Sequence, residues 1–239
     1  MNYFELHDIY NVAKIVYDRE FKEEDLIMGS QKRVVEDLSL HKIHTQQIKA
    51  SGKLQDFYRP SSNLSMRVIV STRAKSLFES FRKDNIRYYP CPVLRGKEFV
   101  EGYWITDKVV FDDEWVDFTK SEFFLRKRKL ISEENEVRAR YEVTEQIIQF
   151  NDLEDYKQFL KEKMWYMDEL SPYKIFIEED CPYSILSIHT TGPRYLIISE
   201  EVKIELQKQK MDKGIEFKPL ETPDEEWFGP NGLRKQFYK

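Results

Sequence analysis

The chain has 239 residues, 38 basic and 43 acidic side chains, a formal charge of −5 and only 8 glycines. At roughly 100–200 residues per domain this length allows one large domain or two small ones, and so few glycines argue against collagen-like repeats, Gly-rich phosphate cradles and flexible linkers. The acidic balance opposes general nucleic-acid affinity, and no apolar run approaches the ~18 residues of a membrane span.

The amino terminus, Met1-Asn2-Tyr3-Phe4-Glu5-Leu6-His7-Asp8, has neither the basic nor the apolar region of a signal peptide. Two isolated cysteines, Cys91 and Cys181, suit reduced thiols better than a disulfide framework. Together they predict a cytoplasmic protein.

In residues 1–50, Met1–Leu6 predicts a strand and Val34–Lys49 a helix. His41 and His44 lie three apart, so that helix would set both on one face. With no further Cys or His nearby, a solvated face is the expectation rather than a metal site. Ser51-Gly52 and Pro60-Ser61-Ser62 mark loops.

A segment beginning near Arg67 then recurs near Arg194. Val68-Ile69-Val70 meets Ser71, and Leu196-Ile197-Ile198 meets Ser199. Each serine is placed to cap a helix. Ala74 and Phe78 match Val202 and Leu206 on one apolar helical face, and Lys75 matches Lys203. Asn85 and Gly214, which tolerate the left-handed conformation, stop the helices. Ile86 and Ile215 open short strands that end at Pro90 and Pro219. Two strand–helix–strand units follow.

Between the copies, Arg95-Gly96-Lys97 reads as a hairpin turn from Val93-Leu94 into an extended run Phe99–Ile105. Val137, Ala139, Tyr141 and Val143 alternate with polar residues, predicting a half-exposed strand. Asn151 or Asp152 caps a helix carrying Leu153, Tyr156, Leu160, Met164 and Met167, which ends before Ser171-Pro172. The expected fold class is α+β, with a mixed or antiparallel sheet, two similar strand–helix–strand units and flanking helices. It forms one domain over 1–239, with an N-terminal part at 1–50, a central region at 50–220 and a tail at 221–239.

Catalytic signatures such as G-x-S-x-G, the P-loop, G-x-G-x-x-G and H-E-x-x-H are absent from the sequence. The segment Asp112-Asp113-Glu114-Trp115 sets acids beside an aromatic residue. That pattern fits a solvated turn, a recognition patch with a tryptophan anchor, or a carboxylate pair for acid–base work. Asp224-Glu225-Glu226-Trp227 repeats the theme, and Trp227 and Phe228 could equally pack the tail onto the domain. Arg126-Lys127-Arg128-Lys129 reads as a solvated basic face.

The order Gly52-Lys53-Leu54-Gln55-Asp56-Phe57, Val68-Ile69-Val70-Ser71, Gly102-Tyr103-Trp104 and Val116-Asp117-Phe118-Thr119-Lys120-Ser121 resembles a group of bacterial immunity proteins. Leu196–Lys203 and Gly214–Pro219 are similar to that group's carboxyl-terminal signature. The group protects cells against polymorphic toxins, and the type often numbered eleven is the one resembled, over about residues 50–220. The resemblance implies binding and occlusion of a cognate protein toxin domain, without turnover, cofactor or metal. An acidic chain suits a basic toxin, and Asp112, Asp113, Glu114, Trp115, Asp224, Glu225, Glu226 and Trp227 are the candidate contacts. The alternatives are an enzyme of unrecognised class using the acidic cluster or His41 and His44 in a concave pocket, and an adaptor that binds through a sheet edge.

Overall fold

The computed structural model describes residues 2–7, 12–16, 43–51, 53–60, 64, 67–132, 140–188 and 196–238. In chain order the elements are β1 (Tyr3–His7), β2 (Lys14–Ile15), β3 (Gln46–Ile48), β4 (Phe57–Tyr58), β5 (Ile69–Ser71), α1 (Thr72–Phe81), β6 (Ile86–Pro90), β7 (Val93–Arg95), β8 (Glu98–Val100) and β9 (Tyr103–Lys108). A 3-10 turn, Asp113–Trp115, precedes β10 (Glu122–Ser132) and β11 (Arg140–Ile148). The chain continues through α2 (Leu153–Lys163), β12 (Glu169–Lys174), β13 (Ile185–Leu186), β14 (Leu196–Ser199), α3 (Glu200–Lys208), β15 (Glu216–Pro219), α4 (Asp224–Phe228) and α5 (Arg234–Phe237). The fold is α+β. Two compact units divide it: one comprises 1–111, 182–187 and 194–218, the other 112–181, 188–193 and 219–239.

The first unit contains the repeat, and its two copies agree in register. One sheet runs β4-β5-β9-β6 and another β13-β14-β1-β15, so in each an intervening strand separates the two strands joined by the helix. This is the split β-α-β arrangement. Ser71 lies opposite Tyr103 and Val70 opposite Trp104, as Ser199 lies opposite Tyr3 and Ile198 opposite Phe4. On the other side Phe57 pairs with Val70, as Ile185 pairs with Ile198.

Hydrogen bonds repeat as well. Thr72 N–H donates to Gly102 and Glu200 N–H to Asn2. Tyr103 Oη donates to the Gln55 carbonyl, and Tyr3 Oη to that of Tyr183. Both capping serines hold φ near −70° and ψ near 164° and accept from the N–H three residues on. Lys75 Nζ lies 4.7 Å from the Trp104 ring, and Lys203 Nζ 3.8 Å from the Phe4 ring. An ammonium over an aromatic face on the central strand thus pins each helix to its sheet.

The helix faces meet in one core. Val70, Ala74, Phe78 and Ile86 from the first copy and Ile198, Val202, Leu206 and Ile215 from the second belong to a single buried cluster. Burying methyl and ring groups at about 25 cal/mol per Å2 is what holds the two copies together.

Several local expectations are corrected. Asn85 does not turn left-handed: Lys210 is the only non-glycine residue with positive φ among those described. Asn85 is fully buried and donates to the Ile185 carbonyl, so a tertiary hydrogen bond explains its place. Gly214, at φ 84°, does adopt the left-handed form. Of Val34–Lys49, residues 34–42 lie outside the described residues, and Gln46–Ile48 is a strand paired in parallel with β7 rather than helix. Phe99–Ile105 is not one strand. Gly102, at φ 81°, breaks it into β8 and β9, which enter different sheets.

In the second unit, β10 pairs antiparallel with β11 on one side and β12 on the other. Phe118, Phe123, Phe150 and Tyr156 pack there with ring centroids 5.1–6.0 Å apart. Asp152 caps α2 by accepting from Asp155 N–H. The helix stops at Lys163 instead of reaching Met167, and Ser171-Pro172 lie inside β12. An edge strand tolerates that proline because a backbone position facing away from the ladder needs no N–H donor, the group proline lacks.

Candidate functional site

The first acidic segment folds into a turn that buries half of it. Trp115 N–H donates to the Asp112 carbonyl and Val116 N–H to that of Asp113. Asp112 and Asp113 are 1% and 9% exposed, Trp115 is half-buried, and Glu114 alone of the four stands in solvent. Asp113 faces inward toward Tyr156, whose phenol is pushed up to about 12 by burial and by that carboxylate.

What joins Glu114 at the surface comes from far along the chain. Val116 bridges Ile177 antiparallel, Glu178 N–H donates to the Trp115 carbonyl, and Asp117 N–H to that of Phe176. This brings Glu178, Glu179 and Asp180 beside the turn. Burial, then the like charges of Asp117 and Asp180, hold the Glu178 carboxyl above its ordinary range. Lys120 partly offsets the crowding, at 2.8 Å from Asp117 and 3.9 Å from Glu179. Burial raises the Asp117 carboxyl, but hydrogen bonds from Lys120 and Thr119 outweigh it and hold that group below the usual carboxylate range.

Those three acids adjoin one another in the sequence, and the bridge to Val116 is what links them to the turn. A rim in which Glu114, Glu179 and Asp180 are exposed and Glu178 is partly buried therefore replaces the contiguous run Asp112–Trp115 as the acidic surface.

The second segment behaves differently. On α4, Asp224, Glu225 and Glu226 are all exposed, while Trp227 is 1% exposed and stacks on Phe237 with centroids 5.8 Å apart. Trp227 is thus the anchor that packs the tail and not a residue offered to a partner. Phe228 stays exposed. Both acidic surfaces belong to the second unit.

Other chemistry-bearing residues occupy enclosed positions. His44 is buried and lies outside any helix, just before β3, and His41 lies outside the described residues. No group of three or more His, Cys, Asp or Glu is placed to hold a metal among the described residues. Cys91 and Cys181 are free and buried, and burial pushes the Cys91 thiol up to about 12. The first unit also buries Glu5, His7 and Lys218, with His7 Nε2 2.7 Å and Lys218 Nζ 3.5 Å from Glu5 Oε2.

An open recess of about 390 Å3 lies between α1 and α3, lined by Leu77, Ser80, Phe81, Ile204, Glu205 and Gln209. The basic run on β10 is engaged at its start: Arg126 bridges Glu145 and Glu169, and Lys127 donates to the Lys163 carbonyl. No helix among the described residues is long and apolar enough to cross a membrane.

No family model matches the chain, and no curated protein matches it in sequence.

Proposed function

We propose that this protein is an immunity protein that binds and neutralises a cognate toxin domain by occlusion, without catalysis. The reading starts from the resemblance over about residues 50–220. The observation that carries it further is the acidic rim of Glu114, Glu178, Glu179 and Asp180, where burial first, and then the like charges of Asp117, Asp180 and Glu179, raise the Glu178 carboxyl. Such crowding costs free energy in the isolated protein and is relieved by a cationic partner, the basic cleft of a toxin. The exposed Asp224, Glu225 and Glu226 extend the acidic character of the second unit.

The test is co-expression with candidate toxin domains encoded by neighbouring genes. A domain lethal alone and harmless with this protein supports the reading. Reversing Glu114, Glu178, Glu179 and Asp180 to lysine should weaken toxin binding and flatten its salt dependence. Unchanged affinity and salt slope would remove the rim from the interface.

A further inference from the structure

Strand β11 is the outer strand of the β11-β10-β12 sheet among the described residues. Its residues 142–147 are exposed on both faces, with Val143 49% and Ile147 45% accessible. The alternation read from the sequence predicts a covered apolar side here, yet that side is open. The opposite edge, β12, carries Pro172 and Lys174, devices that blunt strand addition. The segment Arg140–Ile148, RYEVTEQII, has neither proline nor lysine.

A nine-residue edge leaves half its backbone N–H and C=O groups pointing away from β10, which is a template for another strand. The composition of β11 selects the occupant. Run antiparallel against itself about Thr144, the strand sets Thr144 against Thr144, Glu142 against Gln146, Val143 against Glu145 and Tyr141 against Ile147. No like charges fall directly opposite one another. The Thr–Thr and Glu–Gln pairs can hydrogen-bond, the exposed Ile147 gains Tyr141 directly across the seam, and Val143, opposite Glu145, gains Val143 and Ile147 of the second copy on the diagonals. We propose that β11 is a self-association edge, through which two copies of this chain form a continuous six-stranded antiparallel sheet about a two-fold axis at Thr144.

This does not rest on the toxin reading, and its test needs no toxin. Sedimentation velocity from about 1 to 100 µM should show the full chain in monomer–dimer equilibrium. Thr144→Glu is the informative variant. Thr144 pairs with Lys127 on β10, so the new carboxylate gains a cross-strand cation in the monomer while meeting its own copy at the axis. It should raise the dimer dissociation constant roughly tenfold or more. Thr144→Lys should also weaken the homodimer, and mixing the two variants should restore association as a heterodimer. Gln146→Glu, which opposes Glu142 twice, gives a second disruption if Thr144→Glu folds poorly. A wild-type chain that stays monomeric throughout, or a dimer that both Thr144→Glu and Gln146→Glu leave unchanged, would overturn the proposal.

Discussion

Replacing Phe123 with alanine tests whether the aromatic cluster holds the second unit together. Phe123 is fully buried on β10. Its ring centroid lies 6.0 Å from Phe118, 5.2 Å from Phe150 and 5.4 Å from Tyr156. Truncating a buried phenylalanine costs about 3–5 kcal/mol, the transfer of the ring plus the cavity left behind. Lost ring–ring geometry adds about 0.5–1.5 kcal/mol for each pair that does not re-form. The upper half of the range is expected, since the ring touches three aromatic neighbours and a rigid sheet cannot collapse into the space.

With a urea slope of about 2 kcal/mol per M, the unfolding midpoint of this unit should fall by roughly 2 M. Three of the 4 tryptophans, Trp115, Trp165 and Trp227, belong to this unit, so intrinsic fluorescence reports it. Phe118 follows the turn bearing Glu114, and Tyr156 faces Asp113, so loss of the cluster should also loosen the acidic rim. A shift under about 0.5 M would refute the packing argument.

Gly214→Ala should destabilise the first unit by about 1–2 kcal/mol in denaturant titration, because an L side chain is strained at φ 84°. Lys75→Met and Lys203→Met should each cost roughly 0.5–1 kcal/mol by the same titration, reflecting loss of equivalent ammonium–ring contacts. Lys75 also bridges Glu79 at 3.1 Å, so a negligible loss at either lysine, rather than an unequal one, would contradict the ring contacts.

Glu178→Gln should raise the melting temperature at pH 7. The folded carboxyl of Glu178 titrates above its unfolded range, so its ionised form is disfavoured in the native state. Its contribution is favourable at low pH and is lost as pH rises through the folded value. The variant's advantage should therefore vanish below about pH 4, where both forms are neutral. A gain that persists there would show that the carboxylate charge is not its source.

The repeat was legible in the sequence because its determinants are local. A serine ready to accept an N–H, an apolar face at helical spacing and a proline that closes each strand recur in both copies, and the structure places them in equivalent register. Lys75 and Lys203 matched in the sequence, but their aromatic partners on β9 and β1 did not stand out. Those strands precede one unit and follow the other, so the correspondence of Trp104 with Phe4 emerges only once pairing sets the register. Asn85 reads as a helix stop, yet its side chain serves a contact about one hundred residues away.

The candidate site divides along the same line. Composition set the acidic charge, and the run at residues 112–115 was visible at once. Which of its carboxylates meet solvent was decided by the turn that buries Asp112 and Asp113, and by the Val116–Ile177 bridge that adds Glu178, Glu179 and Asp180. Trp227 read equally as an anchor for a partner or for the tail, since an aromatic beside acids carries the same pattern either way, and its burial against Phe237 makes it the anchor of the tail. The alternation around Tyr141 and Val143 identified a strand but not that its apolar side would stay open. Periodicity specifies which residues share a face, through bond geometry along the chain. Coverage of that face depends on segments distant in sequence, whose approach is set by the packing of the whole unit.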